Sequence, residues 1–398
     1  VSAPDIIILG GGAAGCMAAI QAGQRGKKVL LIDGGARVGG KIPISGGGRC
    51  NFTNRGASAE HYLSENPHFA KSALGRFTPE DTEAWVAGAG IQYHEKKLGQ
   101  LFCTRSAMEM VDLLERDLGA AGGELKLNAR IEGLEALPGG GYRAYGDGWQ
   151  ASAPKAVLAL GGPSYPSLGA SDLAWRIAKG LGLALVDGAP ALDGFVWNAE
   201  DASHFDDLQG LSLDVRLGTG GKSFDEAILF THKGLSGPAA LQGSLYWKPG
   251  QLVELNLWPG TDAGVDLLSF KHRFQRRYVV DWLAERLPRR LAERWDELMG
   301  PKADKLERIS DKALTEAALR FQKVSFIPAG TVGYHKAEVA RGGVSTAELD
   351  QRTLECKKAP GLHIVGEAVD VTGELGGYNF QWAWASGAAA GRALGDAG

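Results

Sequence analysis

Four cysteines in 398 residues, Cys16, Cys50, Cys103 and Cys356, stand far apart and form neither a CxxC pair nor a zinc spacing. This argues against a disulfide scaffold, a metal centre and a dithiol redox motif, and it is the usage of a reduced, cytoplasmic protein. Long apolar runs are also missing: none approaches the ~20 residues that cross a bilayer. The first apolar run begins within a few residues of the start, so a signal peptide is not expected. A strong charge of either sign is absent as well. Forty-three Lys and Arg against 46 Asp and Glu leave a formal net charge of −3. That gives no general pull toward nucleic acid or anionic membrane, and both are expected not to be partners. Glycine, by contrast, is abundant: 58 residues, roughly double the ~7% average usage, so backbone-shaped loops are expected in place of a helical bundle. The length implies two or three domains.

Asp5 to Asp33 reads DIIILGGGAAGCMAAIQAGQRGKKVLLID. Ile6 to Leu9 form a short apolar run, as a buried strand does. Gly10, Gly12 and Gly15 follow at GxGxxG spacing, and Ala13 to Arg25 is rich in helix formers, with Gly26 at its stop. Val29 to Ile32 give a second strand, which Asp33 ends. Each residue type has a task. Gly10 allows the tight turn, Gly12 lets backbone approach a pyrophosphate, and Gly15 lets the helix pack close to the sheet. The helix N-terminus at Ala13 and Ala14 presents N–H groups to phosphates, and the Asp33 carboxylate accepts bonds from ribose hydroxyls. Strand, helix, strand and acid in this order imply a dinucleotide site. From Gly34 to Asn54 the chain is again glycine-dense, and Gly46 to Gly48 are followed by Arg49, Cys50 and Asn51. Such a run suits backbone lying against a flat or charged ligand. Arg37 and Lys41 either neutralise phosphate or remain solvated.

The run Ser45 to Asn54, SGGGRCNFTN, resembles the signature of the BaiN and aminoacetone-oxidase-like family of bacterial FAD-binding flavoproteins, within the glutathione-reductase-type class. The likeness extends through ALGGPSYP (159–166), FTHKGLSGP (230–238), GGVSTAE (342–348) and GLHIVGEAVDVTGELGGYNFQWAWASGAAAG (361–391). Departures are small: Asp33 stands where the family often has glutamate, and Leu354-Glu355-Cys356 replaces a more frequent Met-Glu-Ser. The resemblance implies non-covalent FAD, a choice over NAD that the first βαβ unit alone does not make. It implies cofactor contacts from Gly34, Lys41, Ser45, Gly47, Gly48, Arg49, Cys50 and Asn51, with the backbone of Ile131 near the adenine. It further implies a cofactor contact at Gly366, with Glu367 or Asp370 meeting the ribityl and phosphate region. Gly377, Tyr378, Asn379 and Phe380 open a small-residue helix expected to meet the isoalloxazine ring. Gly161 and Gly162 either touch the cofactor or merely end a strand. Cys50 is expected to pack near the flavin without redox work, since no partner cysteine stands within a few residues.

The fold class is α/β: a discontinuous Rossmann-type FAD-binding domain, residues 1–190 and 343–398, around a β-rich insertion, 191–261 and 325–342, that carries a helical subdomain, 262–324. Arg130 to Leu134 reads as a strand. Leu211–Leu217 and Lys222–Phe230, joined by GTGG, read as a hairpin. Gly221-Lys222-Ser223 is no phosphate loop, because that motif's first glycine would fall on Arg216 and no helix follows. Phe274, Tyr278, Trp282 and Leu283 are expected on one helix face. Lys271 to Arg294 carries eight Lys and Arg against three Asp and Glu. This basic helix pair reads as a solvated face, with anionic-substrate or nucleic-acid contact as the alternative.

The expected function is a FAD-dependent oxidoreductase of a small organic substrate, working by hydride transfer as an NAD(P)H-linked reductase or an amine-oxidase-like enzyme. No second strand–GxGxxG–helix–acid unit exists for a nicotinamide, so NAD(P)H docks transiently over the flavin or oxygen closes the cycle. The candidate catalytic residue is His232, at a strand end, with Ser236 capping a helix that has Pro238 in its first turn. An imidazole can carry the proton that accompanies the hydride; a hydrogen-bonded structural histidine is the competing reading. The alternatives in function are a flavin-dependent RNA-modifying enzyme, which the basic helix pair favours, and a non-catalytic flavin-binding protein.

Overall fold

The computed structural model describes residues 3–301 and 304–396. The chain forms two compact units, Val1–Pro190 with Glu338–Gly398, and Ala191–Ala337. Each has its own hydrophobic core.

The first unit is built on a five-stranded parallel sheet in the order Leu362–Ile364, Lys155–Leu158, Ile6–Leu9, Val29–Ile32, Glu124–Lys126. Ile6 to Leu9 sit in its centre and are covered on both faces, as the unbroken apolar run requires. The helix Ala13–Gly23 returns the chain to Val29–Ile32. Against it lies the last helix, Tyr378–Asp396. Their separation is set by small residues: a Cβ added at Gly387 would meet the Ala14 carbonyl oxygen at 2.3 Å, and one at Gly391 the Ala18 oxygen at 2.4 Å. The expected strand from Arg130 starts only at Gly133. The backbone before it is committed elsewhere: the N–H groups of Asn128 and Ala129 donate to the carbonyls of Gly35 and Asp33.

The second unit holds a seven-stranded antiparallel sheet in the order Lys323–Phe326, Val253–Asn256, Ser212–Thr219, Lys222–Phe230, Gly234–Ser236, Phe195–Val196, Gly330–Thr331. The expected hairpin turns at Gly220 and Gly221. Helices Ala263–Arg273, Val279–Leu283, Arg289–Met299 and Asp311–Gln322 follow in the region expected to be helical, with Trp258 stacked on Trp282 at 4.9 Å in the core.

Two local expectations fail here. Phe274, Tyr278, Trp282 and Leu283 do not share a face. The helix ends at Arg273, the next begins at Val279, and Phe274 and Tyr278 lie exposed in the turn between, while Trp282 and Leu283 are buried. The break is fixed by Asp281, whose carboxylate accepts the Tyr278 N–H at 3.0 Å and so starts a new helix. Ser236 caps nothing: it belongs to the strand Gly234–Ser236, and Gly237 at φ +88° precedes the helix Pro238–Tyr246. Among the described residues no helix is long and apolar enough to cross a membrane.

Candidate active site

Four of the parallel strands deliver their carboxyl ends to one edge of the sheet, the place where open α/β sheets bind ligands. After Leu9, Gly10 takes φ +104°, and a Cβ there would lie 2.3 Å from the Ala159 carbonyl oxygen. A Cβ on Gly15 would lie 1.9 Å from the Gly10 oxygen. Both positions admit only hydrogen. Gly12 differs, because a Cβ there would meet nothing within 4 Å. The helix from Ala13 starts at Gly12 with no side chain capping it, so its first N–H groups are left for an anion. Ala14 is buried behind them.

At the end of the second strand, Asp33 Oδ2 accepts the Gly11 N–H at 2.6 Å and Oδ1 accepts the Gly35 N–H at 2.7 Å. Each oxygen keeps a second acceptor site, which fits a pair of ribose hydroxyls beside the exposed Gly34. Ile131 follows the segment that runs along Asp33 and Gly35, with its side chain in the core.

Lys41 and Glu367 meet where the ends of Lys155–Leu158 and Leu362–Ile364 come together. Lys41 Nζ lies 2.9 Å from Glu367 Oε2, and Glu367 Oε1 accepts the Ala340 N–H at 2.9 Å. Gly161 and Gly162 face this carboxylate, and Gly366 packs on Ala14. Arg37, by contrast, is drawn away to Asp112 and Glu115. In the glycine loop, Gly46, Gly47 and Gly48 are all left-handed, as is Cys50 at φ +46°. Ser45 donates to the Ile42 carbonyl at 2.7 Å, and Arg49 is exposed. Cys50 is fully covered, and burial pushes its thiol far above the ordinary range; the neighbouring Cys103 is pushed up to about 12. Neither sulfur is activated as a nucleophile.

The glycine loop is tied to the start of the last helix. With its amide oriented to satisfy both ends, Asn51 donates to the carbonyls of Thr53 and Leu101 and accepts the Gly377 N–H at 3.1 Å. Asn379 clasps the preceding turn, accepting from Gly373 N–H at 2.8 Å and donating to its carbonyl at 2.9 Å. Phe380 follows and stacks on Trp384. Asp370 is buried, accepts the Glu65 N–H at 2.8 Å, and is raised above the ordinary carboxyl range by that burial.

One titratable group here had no signal in the sequence. The strand Tyr62–Leu63 pairs with Thr372–Gly373, which sets His61 beside Glu374. His61 Nδ1 is 2.9 Å from Glu374 Oε2, and its ring stacks on Tyr378 at 4.7 Å. These partners lie over 300 residues apart in the chain, so no spacing announces them. His232 lies in the second unit, exposed in the turn between Lys222–Phe230 and Gly234–Ser236. The Thr231 N–H closes that turn on Gly234 at 2.8 Å.

Residues 4–393 match the family described as HI0933-like protein Rossmann domain. A ribosomal RNA dihydrouridine synthase of Escherichia coli K12 is 43% identical over 391 residues, covering 96% of each chain. A 3-dehydro-bile acid Δ4,6-reductase of Clostridium scindens is 31% identical, covering 97% of this chain and 98% of the relative. Among solved structures, a 3-ketosteroid Δ4-(5α)-dehydrogenase of Rhodococcus jostii RHA1 superposes with a TM-score of 0.52 at 15% identity, over 99% of this chain and 97% of that one, and shares the fold. The full-length relative named for ribosomal RNA corrects the expectation that nucleic acid is no partner. A net charge of −3 sums the whole surface, and such a sum hides a local basic patch. The chain belongs to the HI0933-like family of Rossmann-domain flavoproteins, an oxidoreductase family whose cofactor is FAD.

Proposed function

We propose that the protein is a FAD-dependent reductase that saturates a carbon–carbon double bond conjugated to a carbonyl, with uridine in ribosomal RNA as its substrate. The observation that carries this is the 43% identity, end to end, to the relative named for that reaction. Dihydrouridine is uridine whose C5–C6 double bond, conjugated to the C4 carbonyl, has gained a hydride at C6 and a proton at C5. The Clostridium relative's name describes the same bond type, a ketone at C3 conjugated to double bonds at C4 and C6. One chemistry thus spans both names.

FAD, when bound, supplies the hydride, with NAD(P)H as the source of electrons. The chain's own part is to hold and to protonate. Asp33 takes the ribose hydroxyls, and the uncapped helix start at Gly12 takes the pyrophosphate. His61, oriented by Glu374, is the candidate donor of the C5 proton, and its support is the 2.9 Å contact and the stack on Tyr378. His232 is the second candidate, on its exposed turn.

The test is anaerobic incubation of the holoprotein with NADPH and unmodified ribosomal RNA transcripts, followed by nucleoside mass spectrometry. The expected result is a uridine that has gained two hydrogens. Unchanged RNA, with ready reduction of a conjugated steroid ketone instead, would sink the RNA reading and keep the reductase.

A further inference from the structure

Resting on the RNA reading, we infer that the helix end and turn at 272–278 of the second unit are an RNA-docking element, which stacks unpaired bases on Phe274 and Tyr278 and holds the adjoining phosphates with Arg273 and Arg276. All seven residues, HRFQRRY, are exposed. Phe274 is 41% and Tyr278 43% exposed, where the sequence pattern had implied one continuous helix face. Exposed rings set among arginines are the surface that single-stranded nucleic acid uses, because every base has a face to stack and a phosphate to neutralise.

The charges around the turn are asymmetric. Farther along, Arg286, Arg289 and Arg294 are matched by Asp266, Glu293 and Asp207. Among the described residues, Arg273 and Arg276 have no carboxylate partner; the Arg273 guanidinium lies over the Phe274 ring at 5.5 Å. The nearest acid on the following helix, Asp281, already accepts the Tyr278 N–H and lies 3.7 Å from both Arg277 and Arg289.

The turn is also braced. The Leu306 N–H donates to the Arg277 carbonyl and the Glu307 N–H to the Gln275 carbonyl, each at 2.9 Å. Phe274 leans on the buried Phe270 at 4.9 Å. A preformed platform loses little order on binding, which favours affinity.

The experiment measures retention of deproteinised ribosomal RNA by the full-length holoprotein across a salt series. Phe274→Ala with Tyr278→Ala is expected to weaken binding about tenfold or more at every salt concentration. Arg273→Gln with Arg276→Gln is expected to flatten the plot of log affinity against log salt by roughly 0.7 per lost phosphate contact. Both pairs should keep full FAD content and an unchanged rate of flavin bleaching by NADPH. As a control, Arg105→Gln with Arg116→Gln in the first unit removes the same charge and should leave binding as in the wild type.

RNA binding unchanged in both turn variants, with uridine still reduced, overturns the docking role and leaves the RNA reading standing. An equal loss in the control pair also overturns it. A wild type that neither retains nor reduces RNA sinks both. Loss of binding to phosphatidylglycerol vesicles with RNA binding intact would reassign the turn to a membrane surface.

Discussion

Asp33 carries two loads that a substitution can separate. It closes its own turn through the Gly11 and Gly35 N–H groups, and in the proposed site it would also offer acceptors to a ribose. Asp33→Ala leaves two N–H groups without partners and removes charge-assisted bonds of roughly 1.5–3 kcal/mol each. FAD retained after ultrafiltration should drop by tenfold or more, whereas Asp33→Glu, the residue more frequent in the resembled family, should hold it. Retention by the alanine variant equal to wild type would place the ribose elsewhere. The two histidines divide just as cleanly. His61→Gln is expected to slow reduction of substrate by ~10²-fold while NADPH still bleaches the flavin, and His232→Gln serves as the comparison. If only His232→Gln slows turnover, the proton comes from the second unit. The place of Asp33 at the strand end beside the glycine turn was legible because its signal is local: it ends an apolar run at a fixed distance from three glycines. His61 was not, because its partners Glu374 and Tyr378 reach it through a two-residue strand pairing that no periodicity encodes.

Between elements, the contact that matters most for the cofactor is that of the first and last helices. The alanine-rich composition of the last helix was visible in the sequence and implied tight packing. Its target was not visible, since only the fold shows Gly387 and Gly391 against the carbonyls of Ala14 and Ala18. Those carbonyls belong to the same helix whose uncapped N-terminus is proposed to take the pyrophosphate, so pushing the pair apart should disturb that site without touching it. Gly387→Ala should cost about 1–3 kcal/mol by overpacking, seen as a lower melting temperature together with weaker FAD retention. A lower melting temperature with full retention would uncouple the helix pair from the cofactor. The region after residue 262 failed differently. Its apolar spacing suits one continuous face from Phe274 to Leu283, yet the Asp281 cap splits it, and the cap uses a carboxylate that the pattern counted only as polar.

Over the whole molecule, averages mislead where local arrangements decide. A net charge of −3 pointed away from nucleic acid, while among the described residues Arg273 and Arg276 sit without matching acids. The length implied two or three domains; the chain forms two units with separate cores, one around the parallel sheet and one around Trp258 and Trp282. The proposed cofactor residues described above, from Gly10 to Phe380, all belong to the first unit. Ligand that binds only the folded form of one unit stabilises that unit by mass action, about 2.7 kcal/mol at a free concentration one hundred times Kd. Calorimetry of the FAD-free protein should therefore show two transitions, of which only one rises as FAD is added. The unmoved transition should be the one that Trp282→Ala lowers, because that ring fills the second core and losing it costs roughly 3–5 kcal/mol. A single transition that rises as a whole with FAD would mean that the two cores unfold as one cooperative block.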